Sequence, residues 1–131
     1  MDAVLDAMNE AIQDERRSYA TYSKVLETLG DMRPFSNIVQ AESRHIAALT
    51  QLYQTRGIEP PESQWTAANV PTYSTRREAC SAGVESELLN IAIYDRLLRL
   101  ELPADVRFVF ENLQRASREN HLPAFRRCLA S

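Results

Sequence analysis

The sequence predicts an all-α fold: an antiparallel four-helix bundle made of two helical hairpins joined by a long crossover. Three observations lead there. Four stretches carry apolar residues at helical spacing, and no stretch alternates as a strand does. The breaks between them run short, long, short, and short turns make antiparallel neighbours. With 131 residues the chain has room for one compact domain spanning its length, and 44% hydrophobic with 25% charged residues suit a packed core.

The first helix is expected from Asp2 to Leu29, where Val4, Met8, Ala11, Tyr19 or Ser18, Tyr22 and Leu26 recur without a proline. Gly30 supplies its C-terminal cap, and Gly30–Pro34 is the turn. The second helix begins near Pro34, carries Phe35, Ile38, Leu49 and Leu52, and stops at Gly57. Residues 57–74 hold several prolines and read as the crossover, long enough to need a topological or functional reason. Thr75 and Glu78 form a capping box that opens the third helix, whose stripe is Cys80, Val84, Ile91, Tyr94 and Leu98. Pro103 suits the start of the fourth helix, which runs through Val106, Phe110 and Leu113 to His121. Pro123 has no N–H to donate, so residues 122–131 are expected as a kinked or non-helical tail.

Continuing each apolar stripe places charged residues inside. Glu15 falls on the first, Glu42 and His45 on the second, Glu87 on the third, and Ser117 and His121 on the fourth. Glu85 falls off the third stripe, beside Leu88, Ala92, Asp95 and Arg99. One buried, unpaired carboxylate costs several kcal/mol, roughly, and three together also repel one another. A metal ion resolves the conflict, since it supplies positive charge and accepts both carboxylate and neutral imidazole. The heights agree with this reading. Glu15 and His45 are equidistant from Gly30, and Glu87 and His121 are equidistant from Ala104. Each hairpin therefore brings its polar groups to one level.

Glu15 with Tyr22 seven residues on, Glu42-x-x-His45, Glu87 with Tyr94 seven residues on, and His121 together resemble the ferritin-like superfamily of di-iron carboxylate proteins. Residues 15–22, 35–57 and 117–125 are similar to a small bacterial branch of it whose function is uncharacterised. The resemblance implies iron, one or two ions, with manganese or zinc as other candidates. It implies Fe(II) oxidation or the reduction of O2 or peroxide. Glu15, Glu42 and His45 would hold one ion, and Glu87 and His121 a second with Glu42 bridging. Tyr22 and Tyr94 would hydrogen-bond the ligand carboxylates. The family pattern also requires a glutamate three residues before His121. This sequence has Arg118 there, which puts a positive charge where a metal would be and leaves the centre dinuclear with a small extra ligand, mononuclear, or degenerate.

A metal-free helical interaction module is the alternative. Arg118 would then pair with one or two of the buried glutamates and His45 or His121 with another, and Trp65 and Tyr73 of the crossover would form the partner surface. The net charge of −3 gives no reason to expect nucleic acid. No apolar run approaches the ~20 residues of a membrane span, and the N-terminal residues do not read as a secretory signal. A cytoplasmic location is expected, with the metal ion and O2 or peroxide as partners and a homodimer as one open assembly. Cys80 and Cys128 stand seven residues from Glu87 and His121, both away from the turn, and so at one level. They are either small buried hydrophobes or a reversible disulfide, which needs Cα atoms within about 7 Å.

Overall fold

The computed structural model describes residues 2–131. Helix α1 spans Ala3–Leu29, α2 Phe35–Thr55, α3 Arg76–Leu97, α4 Ala104–Ala116 and α5 Leu122–Ala130, with a π-helical segment, Ser117–His121, between the last two. A single 3-10 turn, Ala67–Asn69, lies in the crossover, and there is no strand among the described residues. The expected four-helix bundle is observed, its fourth helix being α4, the π segment and α5 in one run.

The helix ends follow from local chemistry. Asp2 accepts from the backbone N–H of Val4 and Leu5 and starts α1. Gly30 ends it at φ 95°, its N–H donating to the Leu26 carbonyl. Thr75 accepts from the Glu78 N–H at 3.1 Å, and its hydroxyl donates to the Glu78 carboxylate, so α3 begins where the capping pair places it. Pro103 stands at the N-cap of α4 rather than inside its first turn.

Two readings need correction. Pro123 does not end the fourth helix: α5 continues past it to Ala130. The turn before it is π-helical, with the Leu122 N–H reaching back five residues to the Ser117 carbonyl. That wider turn meets the proline just where an α-helix would lack a donor and crowd a carbonyl. The phase of α3 also differs. Its buried face is Ala79, Cys80, Gly83, Ser86, Glu87, Asn90, Tyr94 and Leu97, whereas Val84, Ile91 and Leu98 are half-buried. Glu85 is exposed, as expected.

The crossover lies along the outer face of α1. Arg16 donates to the Pro61 carbonyl, Gln13 to that of Glu62, and Lys24 to those of Ala67 and Val70. Trp65 and Tyr73 of the crossover line a cleft of about 700 Å³ against α1 and α3, with Arg17, Thr21, Ser86 and Leu89.

Two apolar clusters fill the bundle. Met8, Ile12, Leu49, Leu52, Tyr94, Val106 and Phe110 pack at the end where α1 begins. Tyr22, Val25, Phe35, Ile38, Cys80 and Phe125 pack at the other. Gly83 permits the close approach of α5 to α3 there, since a Cβ at this position would lie 2.6 Å from the Phe125 ring. The Cys80–Cys128 disulfide is formed across that contact, with a Cα–Cα distance of 6.2 Å. The level predicted from the hairpin geometry is therefore met, and helical structure past Pro123 is what keeps it.

Candidate metal centre

Between the two apolar clusters lies a layer of buried polar side chains. Glu15, Ser18, Glu42, His45, Glu87, Asn90, Ser117 and His121 are all buried. All five residues expected to hold metal are brought together. Glu15, Glu42 and His45 each place one donor atom within 4.8 Å of the others, and so do Glu42, Glu87 and His121. Glu42 belongs to both triplets.

The arrangement is nearly two-fold. Nδ1 of His45 lies 3.2 Å from Oε1 of Glu15, and Nδ1 of His121 lies 3.1 Å from Oε1 of Glu87. The two imidazoles stack with centroids 5.4 Å apart. The tyrosines cross between hairpins. The Tyr22 hydroxyl of α1 donates to Oε2 of Glu87 at 2.6 Å, and the Tyr94 hydroxyl of α3 donates to Oε2 of Glu15 at 2.6 Å. Seven residues of helix separate each tyrosine from the glutamate on its own helix. In the antiparallel α1–α3 pair, that spacing sets each tyrosine level with the other helix's glutamate. Each carboxylate is thus fixed on one oxygen by a phenol and keeps the other toward an imidazole.

The electrostatics mark the centre as unbalanced. Burial, then the facing carboxylates of Glu15 and Glu87, push the Glu42 carboxyl well above its usual range. Burial also pushes Glu15 upward, but the hydrogen bond and charge of His45, with bonds from Glu42 and Tyr94, outweigh it and bring that group to about 2. Burial and the adjacent glutamates raise both tyrosine hydroxyls, so they remain protonated donors. Oε1 of Glu42 is buried without a hydrogen-bond partner; Nδ1 of His121 lies 3.2 Å away but not in donor geometry. A buried acceptor without a donor costs about 1–3 kcal/mol, more when charged. A cation between the triplets would satisfy it, and three carboxylates with two imidazoles are a donor set that first-row metals accept.

Arg118 is not in this layer. Its side chain is half exposed and lies 3.7 Å from Asp95 on α3. The expected clash with a metal, and the expected pairing with buried glutamates, are both absent, because the π segment turns Arg118 outward. Ser117 faces inward instead and donates to Oδ1 of Asn90 at 2.8 Å. Asn90 in turn donates to Asp14 at 2.8 Å and to Glu15 at 3.0 Å. Arg17 holds the other side of Asp14. Burial raises the Asp14 carboxyl against the lowering effect of Arg17 and Asn90. Asp14 and Asn90 were not expected at the site. Asn90 stands three residues after Glu87 and four before Tyr94, so that spacing alone could have placed it on the buried face of α3, and Asp14 adjoins Glu15.

No protein-family model and no curated protein matches the chain. Solved structures do. A hypothetical protein from Methanococcus jannaschii superposes with a TM-score of 0.85 at 22% identity, over 99% of this chain and 81% of that one. A bacterioferritin from Desulfovibrio desulfuricans, described with a diiron site in different catalytic states, superposes with a TM-score of 0.81 at 18% identity, over 97% of this chain and 78% of that one. The likeness is one of fold: this chain is a ferritin-like bundle of two helical hairpins joined by a long crossover.

Proposed function

We propose that the chain binds two iron ions in the buried layer and oxidises Fe(II) with O2 or peroxide. Glu15, Glu42 and His45 would hold one ion, and Glu42, Glu87 and His121 the other. Iron held there supplies one-electron chemistry toward the oxidant. The observation that carries the reading is Glu42: it is shared by both triplets, and its Oε1 is buried without a hydrogen-bond partner. A side chain so placed suits a bridge. The diiron site named for the structurally similar bacterioferritin agrees with the choice of iron; manganese or zinc would satisfy the same donors.

The remaining residues prepare the site. Tyr22 and Tyr94 orient Glu87 and Glu15, so each carboxylate presents a fixed oxygen without reorganising. Asn90 holds the same Glu15 oxygen as Tyr94 and ties it to Ser117 on the fourth helix. The apolar clusters above and below the layer exclude water and strengthen every charge interaction inside it. Arg118 lies at the surface, so the metal-free reading keeps only the imidazoles of His45 and His121 to set against three buried carboxylates.

The test is elemental analysis after anaerobic Fe(II) loading and removal of excess iron, followed by admission of air. The proposal expects about two ions per chain, as two shared triplets provide, and a ferric absorbance rise faster than in buffer. Binding no greater than in a Glu42→Ala variant would overturn it.

A further inference from the structure

The Cys80–Cys128 disulfide borders a basic cleft that the metal centre does not use. The cleft has a volume of about 340 Å³ and is lined by Arg33, Asn37, Arg76, Arg127, Cys128 and Ser131, among others, with no acidic side chain. Arg76 is bonded only to neutral acceptors, the Arg33 carbonyl at 3.2 Å and the Ser131 hydroxyl at 3.4 Å. Among the described residues, none of the three arginines has an acidic partner. Three guanidinium groups without an acidic side-chain partner therefore lie beside one half of a disulfide. The two sulfurs are not equivalent: Cys128 lines the cleft and keeps 6% of its surface, whereas Cys80 is fully buried.

We propose that Cys80–Cys128 is an exchangeable disulfide whose electron donor is a small anionic thiol held in this cleft by Arg33, Arg76 and Arg127. The thiolate attacks Sγ of Cys128, the half of the bridge that lines the cleft. A mixed disulfide forms, the Cys80–Cys128 bond breaks, and the electron pair leaves on Cys80, which takes up a proton. A second thiolate attacks the donor sulfur of the mixed disulfide and releases Cys128 as a thiolate, which is protonated in turn. Two thiols become one small disulfide, and the protein gains two cysteine thiols. The arginines concentrate the anion and orient its carboxylates; they take no part in the bond changes. A cleft lined with one sign of charge raises association rates by about 10- to 1,000-fold.

The proposal is independent of the metal reading, and its test is run on full-length, metal-free protein in chelator. Opening is followed by counting free thiols in native buffer with mercaptosuccinate, 2-mercaptoethanol or cysteamine, each rate expressed per thiolate. The expected order is anionic, neutral, cationic, with about a ten-fold advantage for the dianion at low salt that shrinks as salt is added. The triple variant Arg33→Ser, Arg76→Ser, Arg127→Ser should slow mercaptosuccinate most and cysteamine least, and a variant that keeps the full wild-type preference would overturn the proposal. Equal rates or a reversed order would overturn the proposal. So would a disulfide that opens only in denaturant, or two free thiols in protein purified under air.

Discussion

The two halves of the buried layer are built from the same parts but not on the same helix. In α2, Glu42 and His45 stand three residues apart on a regular α-helix. In the fourth helix, Ser117 and His121 stand four apart across a π turn. Phe35, Ile38 and Glu42 correspond to Phe110, Leu113 and Ser117 at a constant offset of 75 residues; His45, Leu49 and Leu52 correspond to His121, Phe125 and Cys128 at 76. The π segment absorbs that one added residue. It returns His121 to the position it would have in an unbroken repeat and places Ser117, not Arg118, opposite Glu42. The second half therefore lacks a carboxylate but carries no opposing charge. Ser117 and Asn90 occupy the vacated side with neutral hydrogen bonds.

The largest break in the comparison is at the residue the halves share. Glu42→Ala should leave at most one ion per chain and abolish the oxidation of added Fe(II), because neither triplet then keeps more than one carboxylate. Iron analysis and the ferric absorbance rise check this together. A variant that retains two ions and normal oxidation would show that the bridge lies elsewhere.

The crossed phenols allow the halves to be weakened one at a time. Tyr22→Phe removes the donor to Glu87 and should weaken the ion held by Glu87 and His121; Tyr94→Phe removes the donor to Glu15 and should weaken the other. Loss of such an outer hydrogen bond typically costs 10- to 100-fold in metal affinity, roughly. Tyr94→Phe should be the milder change, since Asn90 also donates to the same Glu15 oxygen. Titration by calorimetry, with the two binding steps resolved, would show whether each variant moves its own step. Equal shifts in both steps would mean that the tyrosines act on the layer as a whole.

Much of this site could be read from the sequence, and the reasons are specific. The helical stripes and the turn positions set phase and height, so periodicity and distance to Gly30 or Ala104 already bring Glu15, Glu42, His45, Glu87 and His121 to the buried layer in which the structure gathers them. The same arithmetic put Cys80 and Cys128 level. The stripes miss the phase of α3, where Ser86 and Asn90 are buried and Val84 and Ile91 only half-buried, and the change of pitch before His121. A fixed three-residue spacing points to Arg118 as the ligand position, and the π turn shows only as the step from 75 to 76 between corresponding residues of the two hairpins. Pro123 suggests a kink or an end to the fourth helix, since the wider turn that accommodates it does not show in the apolar stripe. On α1, Ser18 and Tyr19 are equally good candidates for the buried face; in the structure Ser18 is buried and Tyr19 exposed.

That failure gives the next test. Ser117→Glu, and not Arg118→Glu, should complete the second half. With ligand charge setting affinity, the second ion should bind about ten-fold more tightly in Ser117→Glu. Arg118→Glu changes a surface pair with Asp95 and should leave both binding steps within error. The metal-free form of Ser117→Glu should be the less stable of the two in chemical denaturation, because it buries one more carboxylate. A gain in Arg118→Glu and none in Ser117→Glu would mean that the π turn is not kept in solution.

The smallest effect separates the two carboxylates of the first triplet by pH, in metal-free protein kept in chelator. The Glu42 carboxyl is raised on folding by burial and by the carboxylates of Glu15 and Glu87. Above its unfolded value, near 4.5, the native state holds a proton that the unfolded state has released. Stability then falls as pH rises toward the folded value, by at most about 1.4 kcal/mol per pH unit. Glu15 behaves oppositely: its carboxyl is lowered to about 2, so its contribution is complete above 4.5 and is lost only as pH falls through that lower window. Between pH 5 and 8, roughly, Glu15 is therefore ionised in both states and contributes no slope, while Glu42 contributes a negative one. Asp14 is also raised and adds a slope of the same sign, so the comparison must be with a variant and not with zero. Glu42→Gln removes the titration but keeps the shape. Urea unfolding of metal-free protein across this range should show stability declining with pH in wild type and declining less in Glu42→Gln. Parallel curves would mean that Glu42 is ionised in the metal-free fold, and that some other group supplies the charge it needs.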